Sequence, residues 1–415
     1  MSAFPATVAG FLARYAALRT ALPGDPAARD AAAAALRALG LPGTAGGRRA
    51  EAWKYTSLRA LTEAPLADLA STITPELPAP LAPARLVVID GRFRPELSTL
   101  PDAVHLTGFA AAPTLDPEAG ADHSVLAALN TLFAADGVSI TVAPGIDAGM
   151  VELLSLTTPG QAAHPRHAVT LGEGARLTLI ETIAGTGRAL HNPLSVIRLA
   201  PGAVLTHPRV QTESAEAFHL ARIVAILAAD AAYHGFTLTA GAALARTDLH
   251  ITLAGPGAMA EASAALLLSG TRHADLASVI RHAAPGGSSR QLVRSVLTGA
   301  ARGVFQGRIE VARDAQKTDG YQMSQALLLS DSAEMDVKPE LEIFADDVKC
   351  SHGATVGALD PDQLFYLRAR GIPAPDARAM LVRAFLDDQL DAVPDAAARA
   401  AMEAAVASWW DGHGA

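Results

Sequence analysis

Apolar residues recur at three- and four-residue steps in "ATVAGFLARYAALRTAL" (6–22), which predicts an amphipathic helix. "DPAARDAAAAALRALG" (25–40) predicts a second, with Pro26 near its start and Gly40 at its end. Residues 1–80 are therefore expected to form an N-terminal helical domain, and the Pro-rich "TPELPAPLAPA" (74–84) a linker. From 85 to 357 the texture changes to short apolar strands punctuated by Gly, Pro and Asp. Helical periodicity returns over 358–415, where "DPDQLFYLRARG" can start on Asp360 as N-cap and stop at Gly371.

The strand region repeats itself. "LGEGARL" begins at Leu171, "LAPGAVL" at Leu199 and "LAADAAY" at Leu227, each 28 residues after the last. The shared form is Leu-x-x-Gly/Asp-Ala-x-apolar; "LTAGAAL" at Leu238 and "LAGPGAM" at Leu253 vary it, and "VAPGIDAGM" begins at Val142. Small residues at corners between short strands predict a parallel β-helix of about 25–30 residues per turn. A β-sandwich with similar turns is the alternative. Terminal helices suit a solenoid, whose ends otherwise expose apolar surface and unpaired strand edges.

The 415 residues are half apolar, with 5% aromatics and a mean hydropathy of +0.24, so a large aliphatic core follows and disorder does not. A net charge of −9, with no basic run interleaved with aromatics, argues against nucleic acid or an anionic membrane as partner. The N-terminal residues lack the pattern of a secretory signal. Apolar runs such as "ARIVAILAADAAYHG" fall short of the roughly 18–20 residues a membrane span needs. One cysteine excludes an intrachain disulfide and fits a reducing, cytoplasmic setting.

That cysteine, Cys350, lies in "DDVKCSHGATVG" two positions before His352. "KPELEIF" alternates just upstream, and Pro339 fits only a strand start or edge, so a late solenoid strand is expected. Residues i and i+2 of a strand share a face, about 6.5–7 Å apart. Thiolate and imidazole both suit iron or zinc, yet a closed site needs about four ligands. The residues leave three readings open: a metal or cluster site completed by another chain, a structural Cys/His pair, or a nucleophile with its base.

Other candidates point to structure. His250, His273 and His282 fall on successive strand-like segments and could stack within the solenoid, with structural roles favoured over metal binding. In "GRRAEAWKYTSLRAL", Trp53 and Tyr55 flank Lys54 and are expected to dock the helical domain rather than stack on bases. G-x-x-x-x-G-K-[ST], strand-linked G-x-G-x-x-G, H-E-x-x-H and C-x-x-C are all missing, so the usual equipment of an enzyme is lacking. A β-helix enzyme with a groove along one face is the competing class, but the repeats offer mainly Ala, Leu and Gly there.

Four segments in order, "RRAEAWKYTSL", "RGVFQGRIEV…AQKTDGYQMSQALLLS", "AEMDVKPELEIFADDVKCSHGATVG" and "LDPDQLFYLRARGI", resemble the SufB/SufD family of iron–sulfur cluster assembly scaffolds. The single cysteine and the length resemble its SufD branch. The resemblance implies a right-handed parallel β-helix with helical domains at each end, and a non-catalytic subunit. It implies pairing with SufB through the last solenoid strands, whose exposed edges would also let the isolated chain form a homodimer. It further implies docking of the ATPase SufC around Phe365, Tyr366, Leu367, Arg368, Arg370 and Gly371. His352, with Cys350 beside it, is implied as a ligand to iron or a transient iron–sulfur cluster shared with SufB, none being held stably by the chain alone.

Overall fold

The computed structural model describes residues 3–45, 47, 51–63, 65–67, 75–116, 124–391, 393 and 395–413. Arg48, Arg49 and Thr74, which belong to the quoted N-terminal motif and the expected linker, lie outside them.

Strands coil between two stacked sheets. One runs through Ala84–Ile89, Asp147–Thr157, Arg176–Gly185, Val204–Gln211, Ala232–Thr239, Met259–Leu268, Ser288–Leu297 and Asp319–Leu328 to Lys349–Gly357. The other runs through Val138–Val142, Arg166–Leu171, Leu194–Leu199, Phe218–Leu227, Leu244–Leu253, His273–His282 and Arg302–Val311 to Glu334–Ile343. Successive turns pair in parallel, so the fold is a mainly β solenoid with helices toward both termini.

The sequence repeat is the register of this coil. Leu171 pairs with Leu199, Leu199 with Leu227, and Leu227 with Leu253, so the repeated leucines form one interior column. Three residues after each first leucine the chain turns with positive φ, at Gly174 (65°), Gly202 (67°) and Asp230 (56°). Left-handed backbone tolerates Gly and Asp best, which is why the consensus alternates between those two types. The next residue is a fully buried alanine, at 175, 203 and 231, because the corner leaves no room for more. Leu238 starts no such corner; it lies in the first sheet and faces outward under the C-terminal helices.

Inside the coil, Leu177, Leu179 and Leu205 of the first sheet meet Val169, Ile197, Ile223, Ile251 and Ile280 of the second. Completely burying each such side chain stabilises the fold by about 1.5–3 kcal/mol. The aliphatic core therefore holds sheets whose ladders alone give little net stability.

The N-terminal helices α1 (Val8–Leu18) and α2 (Pro26–Leu39) pack with a third, α3 (Val125–Phe133). α2 starts at Pro26 and ends at its C-cap Gly40, as its sequence predicts, with Asp25 as its N-cap. α3 was not expected, because "SVLAALNTLF" is embedded in strand-like sequence. Buried Arg29 of α2 donates to the carbonyls of Thr131, Leu132 and Ala134, supplying partners for the end of α3. This cluster seats on Leu190, Phe218, Leu220 and Leu244 of the solenoid wall.

The C-terminal helices are α4 (Pro361–Ala369), α5 (Ala374–Leu390) and α6 (Ala396–His413). Val382, Leu386, Leu390 and Met402 cover Ile180, Phe236, Leu238, Leu267 and Val296 on the outer face of the first sheet. Arg294 reaches from that sheet to the Phe385 carbonyl and to Asp388 at 2.9 Å. The expectation that terminal helices cap the ends of the coil is thus corrected: both groups brace its sides. The C-terminal end of the solenoid stays open, with Glu334–Ile343 and Lys349–Gly357 as the last strands of their sheets.

A candidate ligand pair at the open end of the solenoid

Lys349–Gly357 pairs on one side only, with Asp319–Leu328. Lys349 N–H donates to Thr318 at 2.8 Å, so residues alternating with it bond inward along the ladder. The N–H and C=O groups of Cys350, His352, Ala354 and Val356 therefore face the open edge. On the other sheet, Glu334 N–H and Phe344 N–H donate to Ala301 and Val311. The same alternation places Pro339 at an edge-facing position of Glu334–Ile343, where the missing N–H costs the ladder nothing.

Cys350 and His352 do share a face, and it is the inward one. Cys350 tops the column Leu205–Tyr233–Ala260–Ser289–Gly320, and His352 tops His207–Gly235–Ala262–Gln291–Gln322. On any earlier rung both would be sealed. On the last rung nothing lies above them, so Cys350 is half-buried and His352 exposed. The rung around them is apolar: Met335, Val337 and Leu341 are partly buried, and Ile343, Phe344 and Val356 are exposed.

Cys350 packs against the cluster of Ile309, Val311, Ala315 and Ala345. Burial pushes its thiol above the ordinary value, a backbone hydrogen bond from Gly320 pulls the other way, and Asp319 adds to the rise. Gly320 matters here because a Cβ on it would sit 3.4 Å from the Cys350 sulfur. Among the described residues, no third His, Cys or carboxylate donor converges with Cys350 and His352. Two donors on an open rung can hold a metal centre only with ligands from elsewhere.

The family model described as "SUF system FeS cluster assembly, SufBD core domain" matches residues 154–385. The chain is 34% identical to the iron–sulfur cluster assembly protein SufD of Escherichia coli, covering 84% of this chain and 85% of that one. The chain belongs to the SufBD family. A SufBD family iron–sulfur cluster assembly protein of Synechocystis is 31% identical over 88% of this chain and 87% of its own. The chloroplastic protein ABCI7 of Arabidopsis thaliana is 33% identical over 56% and 50%.

The other residues singled out in this SufBD protein separate by place. Phe365 and Tyr366 on α4 are 73% and 55% exposed, and Arg370 lies over the Tyr366 ring at 3.4 Å. Arg368 and Gly371 are exposed beside them, and Leu367 is partly buried. Trp53 lies under the guanidinium of buried Arg246 at 4.0 Å, and Thr56 donates to Asp275 at 2.5 Å, so the N-terminal motif docks on the solenoid wall. The histidine expectation is corrected. His273 and His282 bracket a single strand on opposite faces, and His250 pairs with Val279, so the three do not stack. No helix among the described residues is long and apolar enough to cross a membrane.

A buried polar column went unread in the sequence. Glu181 pairs in register with Arg209 and accepts from it at 2.6 Å, while His207 lies 3.1 Å from the same carboxylate. Glu213 accepts from His191 at 2.9 Å and from Gln211 at 2.8 Å, and His219 Nδ1 lies 2.9 Å from the oxygen that Gln211 contacts. Among the described residues this triad is the one group of three donors close enough for a metal. Burial works to raise the Glu213 carboxyl, but His219 and His191 outweigh it and hold it well below the usual carboxylate range. Burial disfavours charge on His219, and the triad is sealed inside the solenoid. A signal existed: Glu181 to Arg209 and His191 to His219 carry the same 28-residue spacing as the leucines.

Proposed function

We propose that this SufBD protein is a non-catalytic scaffold subunit that lends ligands to a nascent iron–sulfur cluster held jointly with a SufB-type subunit. The observation that carries the reading is the placement of the lone thiol and His352 on a strand paired on one side only, with no third donor in reach among the described residues. Strand addition along Lys349–Gly357 brings a partner's backbone and donors to this rung. The apolar rung supplies the buried area, and iron or the cluster is cargo of the complex. The exposed Phe365, Tyr366 and Arg370 of α4 form the surface for the ATPase SufC, which supplies the nucleotide chemistry this sequence lacks motifs for. Alone, the chain pairs with a second copy through the same edge.

The reading is tested by purifying the chain with SufB and SufC anaerobically and measuring iron and sulfide. His352→Ala lowers both at least tenfold in the intact complex, and the isolated wild-type chain holds no stoichiometric cluster. Unchanged metal content in His352→Ala defeats the ligand role. One observation favours a second reading for Cys350 alone: its thiol is half-buried in an aliphatic cluster and its ionisation is disfavoured. Cys350→Val retaining full cluster content would make it an interface packing residue.

A further inference from the structure

The interior column beneath His352 ends in two glutamines. Gln322 is its Cα partner on the rung below, and Gln291 lies one rung further down. Both are sealed, at 0% and 1% exposure, with Ser278 across from them at 3%. An amide buried without partners costs about 1–3 kcal/mol, so such a pair persists only where hydrogen bonds fix it.

Here they do, and with a direction. Ser278 Oγ donates to Gln291 Oε1 at 2.5 Å, and Gln291 Nε2 donates to Gln322 Oε1 at 3.5 Å. Gln322 Nε2 donates to the Gly307 carbonyl at 3.2 Å. The chain of donors sets each amide, so Gln322 has its oxygen committed to a single long contact. An amide oxygen accepts two hydrogen bonds, which leaves capacity on Oε1. Gly307 makes room for this arrangement, since a Cβ there would fall 2.5 Å from that oxygen. The next rung, about 4.8 Å above, carries His352.

A metal-bound imidazole keeps its proton on the second ring nitrogen, and that N–H needs an acceptor to fix tautomer and ring plane. We infer that Gln322 is the positioning residue for His352: its Oε1 takes the imidazole N–H and leaves the other nitrogen's lone pair facing the open end. Ser278 and Gln291 hold Gln322 in that orientation. The inference rests on the proposed ligand role of His352, but its first readout needs no metal.

In the full-length chain labelled with ¹⁵N-histidine, the ring-nitrogen shifts of His352, assigned by their loss in His352→Ala, report its tautomer above the imidazole titration range. Wild type and Gln322→Glu show a single tautomer, because amide and carboxylate oxygens both accept. Gln322→Leu, of similar volume, shows a mixture. An unchanged single tautomer in Gln322→Leu overturns the inference. So does a mixture in Gln322→Glu, which decides the matter even if the leucine variant does not fold. In the complex with SufB and SufC, Gln322→Leu weakens Fe(II) binding about 10- to 100-fold and Gln322→Glu retains it. If instead His352→Ala leaves iron content intact, the ligand reading fails while the tautomer result still decides the positioning claim.

Discussion

Two prolines, one residue apart, separate an edge that binds a partner from a ladder that holds the solenoid. Ala354 directs its N–H out of the open edge, whereas Thr355 bonds inward to the preceding rung, as Lys349 does to Thr318. Ala354→Pro removes a donor that no hydrogen bond within the chain uses, and edge strands tolerate proline at such positions. In a complex it deletes one hydrogen bond, worth about 1 kcal/mol net, and strands a partner carbonyl at about 1–3 kcal/mol. The total of about 2–4 kcal/mol corresponds to binding roughly 30- to 700-fold weaker, at 1.4 kcal/mol per tenfold. Thr355→Pro loses a ladder bond inside the fold and frays the last rung. Calorimetric titration with the SufB-type subunit reads the first effect, and hydrogen exchange over 349–357 in the isolated chain reads the second. Ala354→Pro binding as tightly as wild type would refute the edge-pairing argument.

Phe365→Glu on α4 leaves the urea midpoint of the isolated chain unchanged, because the ring is 73% exposed, but abolishes co-purification of SufC; retained SufC argues against that surface. Trp53→Ala removes the ring under Arg246 and costs about 2 kcal/mol or more of docking energy, exposing the N-terminal segment to limited proteolysis while the far-ultraviolet β signal persists. Burial pushes His164 down to about 3 and His167 down to about 4, against about 6.5 in the unfolded chain. Both stay neutral when folded, so stability is complete above pH about 6.5 and falls as the unfolded chain takes up protons below it. His167 alone accounts for on the order of 3 kcal/mol by the foot of that window. Urea midpoints should drop from neutral pH toward pH 5, less steeply in His167→Gln; a flat profile contradicts the buried-neutral assignment.

The coil itself was legible because its corners need Gly or Asp at one backbone position and Ala at the next, which prints a period into the sequence. Pro339 and the Cys350/His352 alternation gave the edge strand, since proline and an i, i+2 pair restrict the choices. The packing of the terminal helices was not legible. An apolar stripe says that Leu386 is buried, not whether a wall or an end rung covers it. α3 escaped because nine helical residues between strands carry too short a pattern to stand out. The buried Glu181–Arg209 pair and the glutamines under His352 escaped for another reason: polar side chains read as surface until the register shows that they point inward.

The most direct test of a shared centre is an electron cryo-microscopy map of the chain with its SufB-type partner. The map should show a partner strand hydrogen-bonded to the backbone of Cys350, His352, Ala354 and Val356, with the His352 imidazole facing thiolate or carboxylate donors of the other subunit. A complex in which Lys349–Gly357 remains bare to solvent, with the partner seated on a solenoid wall, would contradict it.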